Sequence, residues 1–212
     1  MEDISLWSPT YLQSKFTLPC IEKYFKNIKI GTICDFGCGD KPYQNYCGKE
    51  VKYLGIDIDT ENEKADIFAS VCQKIPLEDE LSDYCVSFFV LEHVEEPQIK
   101  ISEMYRILKK GGKIFMLIPM YWEEHEIPYD FFRFTKYGIE HLLKEAGFRE
   151  INIYPLNGSF SIIGVTIAKM LNNFILLKPI IPFANLFFYY LDKKFTHKNS
   201  GNIMTYKVTA EK

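Results

Sequence analysis

Short apolar runs alternate along the chain with segments of helical periodicity. Several of the runs are uninterrupted by polar residues, which is typical of strands covered on both faces of a sheet. The predicted strands are 32–36, 51–56, 66–69, 84–90, 113–118, 150–154 and 203–208. Strands that alternate with helices form mostly parallel sheets, so the pattern predicts an α/β layer fold.

Two helices are predicted between these strands. The first has an apolar face at helical spacing, made of Ile101, Met104, Tyr105 and Leu108. We expect the pair Gly111 and Gly112 to end this helix. We expect Thr135 to cap the start of the second helix and Gly147 to end it.

The segment 159–191 is unusually apolar, and Lys169 and Lys178 are its only charged residues. It predicts two helices, about 160–177 and 183–194, too short or too interrupted for a bilayer span of about 20 apolar residues. Three roles stay open: a lid or extra core layer, a homodimer surface, or a peripheral membrane contact. Aromatic residues at 187–190, followed by lysines, suit an anionic lipid surface.

Composition restricts the class of protein. The chain has 212 residues, 47% of them hydrophobic and 25% charged, as expected for one globular domain (1–212) with a helical insertion at 159–199. The net charge of −3 gives no overall attraction to nucleic acid. The six cysteines show no zinc-ligand spacing, so no metal site is predicted. The N-terminus lacks a signal-peptide pattern, which predicts a cytoplasmic protein with free thiols.

Glycines and an acidic residue mark a candidate cofactor site. Gly37 and Gly39 follow the first predicted strand, and Asp57 ends the next one, where a carboxylate can accept both hydroxyls of a ribose. A dinucleotide site favours a third glycine, but Pro42 stands there, and Asp40 would repel a pyrophosphate. The pattern therefore favours a phosphate-free, cationic nucleoside cofactor, S-adenosylmethionine, over a nicotinamide dinucleotide.

Residues from about 30 to 150 resemble the class I S-adenosylmethionine-dependent methyltransferases, in motif order and spacing. The motifs that carry the resemblance are Cys34-Asp-Phe-Gly-Cys-Gly39, Leu54-Gly-Ile-Asp57, Lys74-Ile-Pro76, Val90-Leu-Glu-His-Val94, Glu103-Met-Tyr-Arg-Ile-Leu-Lys-Lys-Gly-Gly112, His125-Glu-Ile-Pro-Tyr-Asp-Phe-Phe-Arg-Phe-Thr135 and Glu145-Ala-Gly-Phe148. The motif that begins at His125 looks like a subgroup often linked to glycan or lipid modification. The resemblance implies a Rossmann-like, seven-stranded sheet with helices on both faces and an antiparallel last strand.

The resemblance also implies a set of cofactor contacts. Gly37, Cys38 and Gly39 would lie under the methionine part, and Asp35 would position its amino group. Asp57 would hold the ribose, Ile58 would pack on the adenine, and Phe89 and Val90 would border the site. The family often has an acid after the third strand, where this chain has Ser70 and Val71. A serine hydroxyl can still accept a hydrogen bond from adenine.

Methyl transfer to a hydroxyl requires alignment and a general base, for which His93 and His125 are the candidates. The alternative for His93 is a structural residue at a helix start. The predicted acceptor-binding residues are Tyr121, Trp122, Asp130 and Arg133, and they suit a small-molecule, glycan or lipid-linked acceptor. Asp130 and Arg133 could instead pair with each other to brace the loop. A non-catalytic adapter with the same fold is the alternative function, and a nicotinamide-dependent reductase is less favoured.

Overall fold

A seven-stranded sheet forms the centre of the protein. The computed structural model describes residues 4–69, 74–195 and 201–212. The strands are β1 (Ile30–Phe36), β2 (Glu50–Asp57), β3 (Ile67–Phe68), β4 (Ser82–Phe88), β5 (Leu108–Pro119), β6 (Arg149–Gly158) and β7 (Ile203–Glu211). Their order in the sheet is β3-β2-β1-β4-β5-β7-β6. β7 pairs antiparallel with both β5 and β6, whereas β1 to β5 pair in parallel. The predicted fold class is confirmed.

Five α-helices accompany the sheet in the described part of the chain. They are α1 (Tyr11–Asn27), α2 (Pro97–Ile107), α3 (Lys136–Ala146), α4 (Ser159–Asn172) and α5 (Ile181–Phe195). Alternate residues of β5 contribute to two hydrophobic clusters, Ile114 and Met116 to one, Phe115 and Leu117 to the other. The first cluster includes the buried apolar residues of α2 and α3, and the second includes Leu18, Ile21 and Phe25 of α1. The helices therefore cover both faces, which buries the central strands and explains their apolar sequences.

The boundaries of α2 and β5 correct one prediction. α2 ends at Ile107, and Leu108 is the first residue of β5, where it pairs with Ser82. Gly111 and Gly112 consequently lie inside the strand and do not end the helix. The twelve-residue strand begins before the apolar run 113–118 because Leu108 pairs with Ser82 on β4; a register shift follows, and pairing resumes at Lys113 with Tyr84.

The predicted caps of α3 are confirmed. The Thr135 hydroxyl accepts a hydrogen bond from the amide of Gly138 at 3.2 Å, and Gly147 ends the helix with a φ of 101°. A left-handed residue is the usual helix stop, and glycine adopts it without a steric cost. α1 was not predicted from the sequence, although its buried residues include Leu18, Ile21 and Phe25 at helical spacing.

α4 and α5 form the predicted apolar insertion between β6 and β7. α4 is shorter than predicted, and Ile175–Ile180 forms a separate 3-10 segment before α5. The carboxylate of Asp192, buried on α5, accepts hydrogen bonds from the amides of Gly158 and Ser161 at 3.0–3.3 Å. These amides belong to the first turn of α4, so an acid from α5 caps α4 and ties the two helices together.

Candidate functional site

A cavity of about 480 Å³ lies at the carboxyl ends of β1 and β4. It is lined by Asp35, Gly37, Cys38, Gly39, Asp40, Pro42, Tyr43, Phe88 and Phe89. Five of the ten predicted cofactor residues are therefore together at one opening. Ligands of open α/β sheets bind at this edge, next to the strands where the chain order reverses.

The turn after β1 requires glycine for steric reasons. Gly37 and Gly39 have φ values of 76° and 46°, which favour residues without a Cβ atom. A Cβ at Gly37 would lie 2.4 Å from Val90 Cγ2, whereas one at Gly39 would meet nothing within 4 Å. The amide of Gly37 donates to the carbonyl of Ile56 at 2.8 Å, which fixes the turn against β2. The side chain of Val90 thus packs closely against the glycine turn.

Asp35 is a buried carboxylate that lacks a full set of partners. The Tyr53 hydroxyl donates to its Oδ2, while Oδ1 has no hydrogen-bond partner. Burial raises the pKa of Asp35 to about 7. An unpartnered carboxylate oxygen beside a cavity fits a cationic ligand group, such as the amino group of a methionine moiety, since an ion pair there would offset the cost of burial.

Asp57 lies at the carboxyl end of the neighbouring strand β2. Its Oδ2 accepts a hydrogen bond from the amide of Gly39 at 2.8 Å, and its Oδ1 accepts one from Asp59 at 3.2 Å. Ile58, the next residue, is 59% exposed. An acidic group beside an exposed apolar side chain fits the ribose and the adenine ring of a nucleoside. Ribose binding by Asp57 and adenine packing by Ile58 remain predictions with suitable geometry. Ser70 and Val71 lie outside the described residues.

Lys100 on α2 is a buried cation that the sequence reasoning missed. Burial lowers its pKa to about 8, against the opposing effect of Asp57 and Asp35. Its Nζ atom lies 4.9 Å from the centre of the Phe36 ring. The spacing of Lys100 from Met104 and Ile107 places it on the buried helix face, and that periodicity was the available signal.

A second cavity, of about 430 Å³, lies between the segment after β5 and helix α4. Its lining includes Tyr121 and Trp122, two of the predicted acceptor-binding residues, together with Val165, Lys169 and Met204. The ammonium of Lys169 lies 4.1 Å from the Trp122 ring centre, a cation–π contact. The apolar insertion therefore forms one wall of this cavity.

The two candidate catalytic histidines are in contact. His93 ends a 3-10 turn, Leu91–His93, after β4, and its Nε2 lies 3.1 Å from Nε2 of His125. Nδ1 of His93 lies 2.8 Å from the carbonyl oxygen of Tyr129, and Nδ1 of His125 lies 3.1 Å from that of Glu123. The fold brings together two residues that are 32 positions apart in the sequence.

Glu92 is the second residue that the sequence reasoning missed. Its side chain is fully buried, and neither carboxylate oxygen has a hydrogen-bond partner. Burial raises the pKa of Glu92 to about 8. Its backbone carbonyl accepts hydrogen bonds from the amides of Phe131 and Phe132, at 2.9 and 3.1 Å. The only sequence signal for Glu92 is its position next to His93.

Asp130 and Arg133 pair with each other. The guanidinium donates two hydrogen bonds to the carboxylate at 2.6 and 2.7 Å, and it holds the pKa of Asp130 well below the ordinary range. Arg133 also donates to the carbonyl of Glu123 at 3.0 Å, while Asp130 accepts from the amide of His125 at 3.0 Å. These contacts brace the loop that carries His125. Direct contact of either residue with an acceptor stays a prediction.

Comparison with known proteins agrees with this architecture. A family model described as a methyltransferase domain matches residues 34–116, from β1 into β5. No curated protein sequence matches the chain significantly.

Solved structures share the fold at low sequence identity. Phosphoethanolamine N-methyltransferase 2 from Haemonchus contortus, in complex with S-adenosyl-L-methionine, is 17% identical with a TM-score of 0.62. That match covers 97% of this chain but only 57% of the other. An S-adenosylmethionine-dependent methyltransferase from Archaeoglobus fulgidus is 16% identical with a TM-score of 0.60, covering 97% and 95% of the two chains. The [4+2]-cyclase SpnF is 15% identical with a TM-score of 0.64, covering 94% and 82%. Residues 34–116 therefore match a methyltransferase domain, and the seven-stranded sheet has the fold of these solved structures.

Proposed function

We propose that this protein is an S-adenosylmethionine-dependent methyltransferase that acts on an amphipathic, lipid-linked acceptor at a membrane surface. The observation that carries the catalytic part is the cavity after β1, where the glycine turn, the orphaned oxygen of Asp35 and the adjacent Asp57 meet. A turn without side chains allows close approach of a ligand, and two carboxylates at its ends match a cofactor with a cationic and a hydroxyl-bearing end.

The residues around this cavity have separate roles in the proposal. S-adenosylmethionine, when bound, supplies an electrophilic methyl group. Asp35 pairs with the amino group of the methionine part, and the backbone at Gly37 and Gly39 lies against it. Asp57 exchanges its present bond to the amide of Gly39 for the ribose hydroxyls. The charge of Lys100 lowers the pKa of Asp35, against the larger opposing effect of burial.

The histidine pair is suited to hold the proton that a hydroxyl acceptor must lose. Both Nδ1 atoms face carbonyl oxygens, so each ring carries its proton there and leaves Nε2 unprotonated. The Nε2 atoms, 3.1 Å apart, can share one proton between them. Both rings are partly exposed, so an acceptor can reach them.

The exposed surface of the insertion supports a membrane as the place of the reaction. Phe183, Leu186, Phe187 and Tyr190 recur at i, i+3, i+4 and i+7, and are 40–74% exposed. They therefore form an outward apolar face of α5. The preceding segment adds Ile175 and Leu176, which are 80% and 88% exposed. Exposed apolar patches of this kind mark interaction surfaces.

The charges beside the outward apolar face of α5 favour an anionic bilayer as its binding partner. The exposed charges at the two ends of the apolar face are the lysines 178, 193 and 194, and Asp192, the acid of α5, is buried. Lysines beside an apolar, aromatic face favour anionic lipid. A lipid-linked acceptor would then enter the Trp122 cavity along α4, which lines it.

α5 is fastened to the domain in a way that favours an in-plane orientation. Ile175–Phe195 spans 21 residues with a mean hydropathy of 1.2, enough to cross a bilayer by length and composition alone. However, the buried amide of Asn185 donates to the carbonyls of Leu6 and Ser8 at 2.8 and 2.9 Å. Insertion across a bilayer would break these bonds and the Asp192 cap, so the helix lies on the surface.

Thermal unfolding with S-adenosylmethionine, S-adenosylhomocysteine and NAD tests the cofactor assignment. A ligand at 100 times its Kd adds about 2.7 kcal/mol of stability, which gives a visible shift in Tm. We expect shifts from the two sulfur compounds, lost in Asp57→Ala and kept in the neighbouring control Asp59→Ala. Stabilisation by NAD alone would overturn the assignment. Binding without transfer of a labelled methyl group to any lipid or glycan extract would favour an adapter or a non-methylating activity.

Vesicle flotation tests the membrane surface. The wild type is expected to float with vesicles that contain phosphatidylserine, and less with pure phosphatidylcholine. The double variant Phe183→Ser, Phe187→Ser is expected to lose flotation. The control Tyr137→Ser removes a similarly exposed ring from α3, 69% exposed, and is expected to float normally. Equal flotation of the double variant, or a concentration-dependent dimer lost in it, would contradict the lipid assignment.

A further inference from the structure

Three side chains beyond the cofactor cavity converge at one point. One ligand atom from each of Glu92, His93 and His125 lies within 4.8 Å of the other two. Nε2 of His93 is 3.1 Å from that of His125 and 3.9 Å from Oε1 of Glu92. Two imidazole nitrogens and one carboxylate oxygen are the ligand set of many catalytic zinc sites.

The hydrogen bonds of the two imidazole rings determine which ring nitrogen carries the proton and leave Nε2 available as a ligand. Each Nδ1 lies near a carbonyl oxygen, which can only accept, so Nδ1 carries the ring proton. Nδ1 of His125 also lies 3.3 Å from the carboxylate of Asp130, which Arg133 holds in place. Backbone and carboxylate partners of this kind orient metal-binding histidines and set their tautomer. Two unprotonated nitrogens then face each other, and a cation between them would remove their repulsion.

Glu92 supplies an independent observation. It is fully buried, yet both carboxylate oxygens lack a hydrogen-bond partner. Burial of a carboxylate without a partner is costly, and coordination to a metal ion is one of the few arrangements that satisfies it. The nearby guanidinium of Arg133 does not do so, since its hydrogen bonds go to Asp130 and to backbone carbonyls.

The spacing fits a metal ion of first-row size. Two nitrogen ligands at 2.0–2.1 Å from a tetrahedral zinc ion are about 3.3 Å apart, close to the observed 3.1 Å. To complete the third bond, Oε1 of Glu92, now 3.9 Å from Nε2 of His93, has to move closer to both nitrogens. A three-ligand site leaves one position for water or for an oxygen atom of a substrate.

We propose that Glu92, His93 and His125 bind a divalent transition-metal ion, with Zn²⁺ as the best match. The binding does not rest on the proposed methyl transfer. Where both hold, the open position of the metal would take the acceptor hydroxyl and lower its pKa, the hydroxyl proton would pass to solvent water, and the histidines would act as ligands in place of a general base.

Metal binding is measured directly on tag-free, full-length protein stripped with a chelator and titrated with Zn²⁺ in a calorimeter. We expect one Zn²⁺ per chain, weakened at least tenfold in Glu92→Gln and in His125→Gln. Co²⁺ in place of Zn²⁺ is expected to give the visible absorption of a tetrahedral site. His141→Gln, an exposed histidine on α3, is the matched control and keeps full affinity.

Two results would overturn the proposal. One is the absence of Zn²⁺ and Co²⁺ binding by folded wild type. The other is binding that is unchanged in His125→Gln, which would assign the metal to other groups such as cysteine thiols. If Glu92→Gln fails to fold, His125→Gln still decides, because His125 is partly exposed in a loop. Metal binding without cofactor binding would refute the methyltransferase proposal alone, so the two can fail separately.

Discussion

The buried Asp35 makes a quantitative prediction for the stability of the ligand-free protein. Its pKa of about 7 in the folded state, instead of the ordinary 3.8, corresponds to a free-energy cost of about 4 kcal/mol for ionising it. The folded state binds the proton of Asp35 more tightly than the unfolded state does. Protonated Asp35 therefore makes its full contribution to the free energy of unfolding below about pH 4. This contribution is lost as the pH rises to about 7.

Asp35→Asn removes this titration with little change of shape. The asparagine side chain keeps an oxygen that can accept the hydrogen bond of the Tyr53 hydroxyl. Near pH 4, where Asp35 is neutral, we expect wild type and variant to be equally stable within about 1 kcal/mol. Near pH 7.5 the variant is expected to be more stable by about 2–4 kcal/mol, the upper figure being the full ionisation cost.

Urea unfolding of both proteins at the two pH values, without ligand, gives these free energies. The difference between the proteins isolates Asp35, since every other titrating group is common to both. A stability difference that is the same at both pH values would refute the reasoning, because it would mean that Asp35 ionises without cost. With S-adenosylmethionine present, the variant lacks the carboxylate proposed to pair with the amino group, so its ligand-induced Tm shift is expected to be smaller than that of the wild type.

Two further predictions concern close contacts of glycine. Gly37→Ala places a Cβ 2.4 Å from Val90 Cγ2 at a φ of 76°. We expect the free energy of unfolding to fall by about 1–3 kcal/mol and S-adenosylmethionine to give no Tm shift. Wild-type-like binding would contradict the strict need for glycine. In Gly164→Val, the new Cβ lies 2.7 Å from the Cβ of Phe188 on α5. The free energy of unfolding is expected to fall by about 2–3 kcal/mol. An unchanged value would show that α4 and α5 are not tightly packed.

The sequence predicted the strands of the sheet well because a buried strand is identified by its own short run of residues. Strands buried on both faces need continuous apolar residues, and the run 84–90 identifies β4 from its own composition. The end of α2 was wrong for a related reason. Leu108 continues the apolar periodicity of the helix, but its pairing with Ser82 on β4 makes it a strand residue, and no local pattern reports that pairing.

The residues of the candidate site likewise differ in whether local sequence is enough to predict their positions. Asp35, Gly37 and Asp57 stand in short motifs at strand ends, so their positions follow once the strands are known. The contact between His93 and His125 depends on how the loop after β5 folds back, which spacing 32 residues apart does not encode. For the same reason, counting cysteines and histidines at zinc-finger spacing predicted no metal site.

The fold of that loop links the two halves of the site through a single residue. The backbone carbonyl of Glu92 receives the amides of Phe131 and Phe132, while its neighbour His93 meets Tyr129 and His125. Glu92 follows Phe89 by three residues, and Phe89 lines the cofactor cavity. The residues predicted to face an acceptor are therefore anchored to the strand end that borders the candidate cofactor cavity. Since that anchor is made of backbone hydrogen bonds, it survives side-chain replacement at Glu92, and the Glu92→Gln variant isolates the carboxylate's own chemistry.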